Sequence, residues 1–269
     1  MSCPLFWGLA CLLLWPQTAP LAWDHLAPGL AYAEHKISPA PAIGDGRVSM
    51  LRIDPVRYEM VLMSAKQTGD GPHTAPEWAR RGNLIALVNA GMYQADYATN
   101  LGFMQHYDFV NNPRLNQDNT IAAFNPRTDD VPPFQIIDRT CQDWESLRAQ
   151  YHSFTQSIRM VDCHRSNRWS RQAKKWSMVV LGEDAQGRAL FIFTRSPFPV
   201  HDFIDLLLSL DIDLAKAMYL EGGPEASFYL KSGGRSVQRF GSYETGFLES
   251  DENDHYWPIP NVIGIRAKP

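Results

Sequence analysis

Apolar and polar residues alternate along two neighbouring stretches near the start of the folded part of the chain. Arg47–Ile53 and Arg57–Met63 both follow this two-residue period, which is typical of a β-strand with one buried face. Asp54 and Pro55 lie between them and favour a tight turn. The pattern predicts two strands that pair as an antiparallel hairpin.

Short apolar runs bounded by turn residues recur along the rest of the chain and predict further strands. They cover Leu84–Val88, Thr120–Phe124, Phe134–Ile137, Trp176–Leu181, Arg188–Thr194, Ala217–Leu220, Ala226–Leu230 and Val262–Arg266. Gly187 fits the left-handed position of a turn that joins two of these strands. Lys231–Arg235 predicts a second hairpin turn.

Two helices are predicted among these strands. Thr74 and Glu77 form a capping-box pattern, and Gly82 lies where a short helix would end. His201–Leu210 has apolar residues at the spacing of a helix with one buried face. Strands outnumber helices and do not alternate strictly with them. This favours an α+β fold, with a mixed, largely antiparallel sheet and a few flanking helices in a single domain.

The N-terminal residues differ from the rest of the chain. Leu5–Trp15 is an uninterrupted apolar run followed by small residues, which predicts a signal peptide over residues 1–22. A retained membrane anchor is the alternative, but a spanning helix needs roughly 18 or more apolar residues. Residues 23–45 are rich in Ala and Pro and predict a lead-in over the domain surface, and residues 46–269 form the domain. We expect a periplasmic or secreted protein with no stable membrane insertion once the signal is removed.

Charge and cysteine content narrow the function classes. The formal net charge is −4 and the basic residues are scattered, so no nucleic-acid partner and no polybasic membrane patch are indicated. Outside the predicted signal peptide, the cysteines are Cys141 and Cys163. In an exported protein they favour one disulfide, with two free thiols or a zinc site of Cys163 and His164 as alternatives.

Three polar segments of the chain could carry chemistry. The first is Asn89-Ala-Gly-Met-Tyr93, in which Asn89 could bind sugar or phosphate oxygens and Gly91 would admit a ligand. The alternative is a turn that closes the strand. The second contains Gln156, Ser157 and Arg159, whose guanidinium matches phosphate. Its alternative is a surface arginine on an edge strand.

The third segment is Tyr219-Leu-Glu-Gly-Gly-Pro-Glu-Ala-Ser227. A carboxylate at the end of a buried strand, Glu221, stands beside Gly222 and Gly223, which leave room for a ligand. A solvated glutamate in a structural turn is the alternative. The chain lacks a G-x-S-x-G elbow, a phosphate-binding glycine loop and the H-E-x-x-H spacing of a zinc helix. The sequence therefore identifies no particular cofactor, and it leaves open whether a divalent metal ion is needed.

In their order along the chain, these segments resemble the phosphodiester glycosidase domain. That family includes bacterial relatives of the lysosomal uncovering enzyme, which removes N-acetylglucosamine from a phosphodiester. The residues that carry the resemblance are Asn89–Tyr93, Leu101–Met104, Gln156–Met160 and Leu220–Ser227, within a match from about Arg47 to Arg266. The sequence departs from the family pattern at Glu221, where Asp is common, and at Ile158-Arg159, which replaces Gly-Pro.

The resemblance implies a hydrolase that cuts the bond between a sugar's anomeric carbon and a phosphate. Glu221 and Arg159 would then be catalytic, and the substrate would be bound by Asn89, Gly91, Gln156, Ser157, Gly222 and Gly223. One alternative is an envelope protein that binds phosphoglycans without turnover. Another is a metal-dependent phosphodiesterase with Glu221, Glu225 and Asp162 as ligands.

Overall fold

The computed structural model describes residues 21–268. The predicted signal peptide therefore lies outside the described residues, except for its last two positions. None of the helices within the described range is long and apolar enough to cross a membrane.

The described residues form mainly β-strands. In chain order these are β1 (Asp24–Ala27), β2 (Leu30–Lys36), β3 (Arg47–Ile53), β4 (Tyr58–Ser64), β5 (Ala86–Asn89), β6 (Met104–His106), β7 (Phe109–Asn112), β8 (Thr120–Pro126), β9 (Phe134–Asp138), β10 (Tyr151–Ser157), β11 (Arg159–Val161), β12 (Trp176–Asp184), β13 (Ala189–Phe198), β14 (Leu214–Gly222), β15 (Ser227–Ser232), β16 (Arg235–Phe240) and β17 (Asn261–Ala267). The helices are α1 (Ala65–Thr68), α2 (Ala75–Gly82), α3 (Trp144–Arg148) and α4 (Val200–Ser209), with one 3₁₀ turn at Gly223–Glu225.

The strands form three sheets, and their pairings are antiparallel. The strand orders are β1-β2-β3-β13-β12-β14-β11, β7-β6-β10-β8-β9 and β16-β15-β5-β17-β4. All three sheets contribute to one core, to which Phe191, Phe124 and Phe228 belong. The prediction of an α+β fold with a largely antiparallel sheet is confirmed.

Helices cover the outer faces of two sheets. Phe203 and Leu207 of α4 pack with Val180 and Ile192 of the seven-stranded sheet. Trp78 of α2 packs with residues of β5 and β17. The helix α2 begins as predicted, since the Thr74 amide donates to the Glu77 carboxylate at 2.9 Å.

The segment before residue 46 is part of the fold, although its composition predicts a surface lead-in. β2 pairs along its length with β3, and Leu30 and Tyr32 are buried in the core. The alanines of this segment have low strand propensity, so its composition does not predict a strand. The strand forms because it pairs with β3.

The prediction that β3 and β4 pair as a hairpin is wrong. β3 pairs with β2 and β13, whereas β4 pairs with β17 in another sheet. Most residues of both strands are buried, so each strand is covered on two faces and is not the half-exposed strand that alternation suggests. A tight turn reverses the chain but does not decide which strands pair. By contrast, β12 and β13 pair as the predicted hairpin, with Gly187 at φ 75°.

Two central strands end at the same place and position the candidate site. β14, between β12 and β11, ends at Gly222, and β5, between β15 and β17, ends at Asn89. From β14 the chain passes through the 3₁₀ turn Gly223–Glu225 into β15, which pairs with β5. This turn therefore joins the two sheets.

Candidate active site

Two glycines let aromatic and acidic side chains pack closely against the turn between β14 and β15. A Cβ atom at Gly222 would overlap the Tyr219 hydroxyl and the Trp176 ring. Gly223 has φ 64°, and a Cβ atom there would lie 2.5 Å from a Glu244 oxygen and 3.5 Å from a Glu225 oxygen. A side chain at either glycine would displace these groups, which explains why the turn contains Gly-Gly.

Asn89 fastens this turn to the end of β5. Its side-chain Nδ2 donates to the Glu225 carbonyl at 3.0 Å, and its Oδ1 accepts from the Ser227 amide at 2.7 Å. The residue is 2 % exposed. Asn89 thus holds the backbone beside Glu225 and does not present its amide to solvent.

Residues from all three predicted segments line one cavity of about 290 Å³. We call it the Glu221 cavity, and its lining is Met92, Ile158, Trp169, Gln172, Trp176, Tyr219, Glu221, Gly222 and Glu244. Its size is close to the lower end of the roughly 300–1,000 Å³ typical of small-molecule sites. The structure therefore brings together stretches that are far apart in sequence, beside a carboxyl group and aromatic rings.

Glu221 has a strongly shifted pKa. Burial raises it to about 8, and the nearby carboxylates of Glu225 and Glu244 act in the same direction. A hydrogen bond of 3.0 Å from the Gly222 amide opposes these effects. At neutral pH Glu221 is therefore largely protonated and can donate a proton.

Sequence reasoning missed Glu244, which lies in a loop with no recognisable motif. Two backbone hydrogen bonds between Glu244 and Leu248, of 2.8 and 3.0 Å, close a short turn that places Glu244 in the cavity. Burial raises the pKa of Glu244, and the positive charge of Lys174 offsets only part of this effect. The two carboxyl groups of the cavity therefore have different surroundings, as an acid and a base require.

Arg159 lies in a neighbouring cavity of about 180 Å³, together with Arg168 and Asp118. Its Nη1 donates to both Asp138 carboxylate oxygens, at 2.9 and 3.0 Å, and to the Thr140 hydroxyl at 2.7 Å. Burial of Asp138 favours a higher pKa, but the hydrogen bonds from Thr140 and Arg159 outweigh it and lower the pKa. Arg159 and Glu221, the two residues that the resemblance makes catalytic, therefore line different cavities. Ile158 lines both cavities and makes them neighbours.

Three other predicted binding residues, from the first and second segments, are buried. The Gln156 side chain accepts from the Phe103 amide at 2.9 Å and donates to the Asp118 carbonyl at 2.7 Å. Ser157 is 3 % exposed. Gly91, at φ 141°, packs against Asn100. These residues therefore pack beneath the site and do not line its cavity.

The predicted disulfide between Cys141 and Cys163 is present. With His164 these cysteines are the one group of three potential metal ligands found close together among the described residues, and both sulfurs are committed to the bond. Asp162, a ligand in the metal-dependent alternative, instead accepts from the His164 and Ser166 amides at 2.9 Å. The geometry gives the metal-dependent alternative no support.

Comparison with known proteins identifies the family of the chain. The family model for phosphodiester glycosidases matches residues 82–266, which confirms the resemblance inferred from the sequence. No curated protein matches the chain.

Two solved structures have a similar fold. A hypothetical protein from Synechocystis is 13% identical with a TM-score of 0.62, and the match covers 93% of this chain and 64% of that one. The chain thus spans just under two thirds of that protein's length. The catalytic domain of zebrafish N-acetylglucosamine-1-phosphodiester alpha-N-acetylglucosaminidase, auto-inhibited by its pro-peptide, is 10% identical with a TM-score of 0.61. That match covers 90% of this chain and 85% of the zebrafish domain.

Proposed function

The chain belongs to the phosphodiester glycosidase family, and we propose that it hydrolyses the bond between a sugar's anomeric carbon and a phosphodiester oxygen. The observation that carries the proposal is the Glu221 cavity. Met92, Ile158 and Glu221 come from three of the four stretches by which the sequence resembles the family, and they line this one space.

The walls of the cavity suit a sugar ring. Trp169, Trp176 and Tyr219 supply aromatic surface, and Gln172 adds an amide that can bond to hydroxyl groups. The neighbouring cavity suits the phosphate, because two guanidinium groups border it. Asp138 offsets part of the charge of Arg159, whereas Arg168 is half exposed and lies 3.7 Å from Asp162. We assign the sugar to the first cavity and the phosphate to the second, on either side of Ile158.

The two carboxyl groups take different roles in this proposal. Glu221, protonated at neutral pH, donates its proton to the oxygen that bridges the anomeric carbon and phosphorus. The carbon–oxygen bond breaks, and the oxygen leaves with the phosphate. Glu244, whose negative charge Lys174 partly offsets, stabilises the positive charge that develops on the sugar or takes a proton from the attacking water. Water thus adds to the sugar, and the phosphate is released as a monoester.

We infer that the protein acts outside the cytoplasm, in the periplasm or secreted. The disulfide supports this location, because such bonds persist mainly in oxidising compartments. The apolar run of the predicted signal peptide agrees with it. The substrate would then be a carbohydrate phosphate of the envelope or of an extracellular glycan.

The direct test is incubation of the purified exported protein with a panel of sugar-1-phosphodiesters in ¹⁸O-labelled water. Release of free sugar that carries the label supports the proposal. Label in the phosphate instead would identify a phosphodiesterase, and binding without release would identify a phosphoglycan-binding protein. Glu221→Gln and Glu244→Gln should each lower kcat by roughly 100-fold or more, the scale of acid–base groups. Glu252→Gln, at an exposed glutamate, is the matched control.

A further inference from the structure

A second, larger cavity opens beside the Glu221 cavity. It has a volume of about 550 Å³ and is lined by Pro72, Tyr93, Tyr97, Glu225, Phe247, Trp257 and Pro258. We call it the aromatic cavity. Four of these residues have aromatic rings, Glu225 is acidic, and none of them is basic.

Two rings of the aromatic cavity are largely exposed to solvent. Tyr97 and Phe247 are each 62% exposed, among the most exposed large apolar side chains of the described residues. The Tyr97 ring lies 5.5 Å from that of Tyr93, and the Phe247 ring lies 6.2 Å from that of Trp257. Exposed aromatic surface costs solubility and usually marks a binding site.

Residues that are close together in the chain line the two cavities. Met92 lines the first and Tyr93 the second. The short turn that places Glu244 in the Glu221 cavity carries Phe247 into the aromatic cavity. The cavity lined by Arg159 and Arg168, here called the arginine cavity, shares Ile158 with the Glu221 cavity and shares no lining residue with the aromatic cavity. The three cavities therefore run in the order arginine, Glu221, aromatic.

We propose that the aromatic cavity binds a second sugar ring, attached to the sugar that loses its phosphate, so that the substrate is an oligosaccharide phosphodiester. This rests on the proposed function. Aromatic faces pack on the apolar face of a pyranose, and the Glu225 carboxylate and Tyr93 hydroxyl can bond to its hydroxyl groups. The same carboxylate repels a phosphate. The group beyond the phosphate leaves on the arginine side, so whatever fills the aromatic cavity is joined to the sugar itself.

A binding experiment tests this subsite without any need for turnover. Reducing mono- and disaccharides of the gluco, N-acetylgluco, galacto and manno series are titrated into the protein, and binding is followed by calorimetry. We expect at least one disaccharide to bind about tenfold or more tightly than its monosaccharide, and Phe247→Ala to abolish that advantage. Tyr107→Ala, at an exposed tyrosine outside the cavities, should retain it. Equal affinities throughout the panel, or an advantage that survives Phe247→Ala, would overturn the subsite.

A kinetic experiment links the subsite to catalysis. Methyl phosphodiesters of the preferred disaccharide and of its monosaccharide are compared as substrates. Energy from a remote ring can be used at the reacting centre, so we expect kcat/KM to favour the disaccharide by about tenfold or more, and Phe247→Ala to remove the preference. Disaccharide binding without hydrolysis of either ester would reject the proposed function and leave the subsite standing. Equal hydrolysis of both esters would reject the subsite alone.

Discussion

The pKa of Glu221 predicts that Glu221→Gln changes how stability depends on pH. Folding raises this pKa from 4.5 to about 8. Between these values the folded protein keeps a proton that the unfolded chain loses, so a rise in pH favours unfolding. Below pH 4.5 both states carry the proton, and above pH 8 both have lost it. The stability lost through Glu221 therefore develops between about pH 4.5 and 8.

The magnitude follows from the size of the shift. At about 1.4 kcal/mol per pKa unit, the full shift would be worth close to 5 kcal/mol. Since the Glu221 side chain keeps some contact with solvent at the cavity, we expect about half of that. Glutamine resembles the protonated acid and carries no charge at any pH. Glu221→Gln should thus be about 2–3 kcal/mol more stable than the unchanged protein at pH 8 and nearly equal to it at pH 5.

Urea denaturation at pH 5, 6, 7 and 8 measures this difference. In thermal scans it should appear at pH 8 as a melting temperature higher by roughly 5–10 °C. Glu252→Gln, at an exposed glutamate, should follow the unchanged protein at each pH. If the unfolding free energies of Glu221→Gln and the unchanged protein stay parallel from pH 5 to 8, Glu221 is not held in its protonated form and cannot be the proposed acid.

Three further predictions follow from the contacts around the site. Asn89→Ala leaves two backbone groups of the adjoining turn without their partner, and should lower the free energy of unfolding by about 2–4 kcal/mol in urea denaturation. Arg159→Ala leaves the buried Asp138 carboxylate unpaired and should cost about 3–5 kcal/mol. The double variant Arg159→Ala with Asp138→Ala should recover part of this loss, and no recovery would refute the pairing. Replacing Cys141 and Cys163 together by serine should cost about 3 kcal/mol, given 22 residues of sequence separation, and a melting temperature equal to that of the unchanged protein would contradict this.

Local features of the sequence were enough to predict most of the strands and helices and to identify the family. Strand periodicity, the capping box of α2 and the glycine of the β12–β13 turn each depend on residues close together in the chain, so they can be recognised without knowing the fold. The same holds for the order of the three segments and for the cysteine pair, because only two cysteines lie outside the predicted signal peptide.

The tertiary structure alone decided which distant groups meet. Strand pairing depends on edges supplied by the whole chain, so β3 and β4 lie in different sheets despite their tight turn. The charge balance at Arg159 depends on Asp138 from another strand, and the second carboxylate of the site, Glu244, comes from a loop without a motif. A pKa near 8 for Glu221 arises from burial and from two neighbouring carboxylates, and both are created only when the two sheets close around the turn.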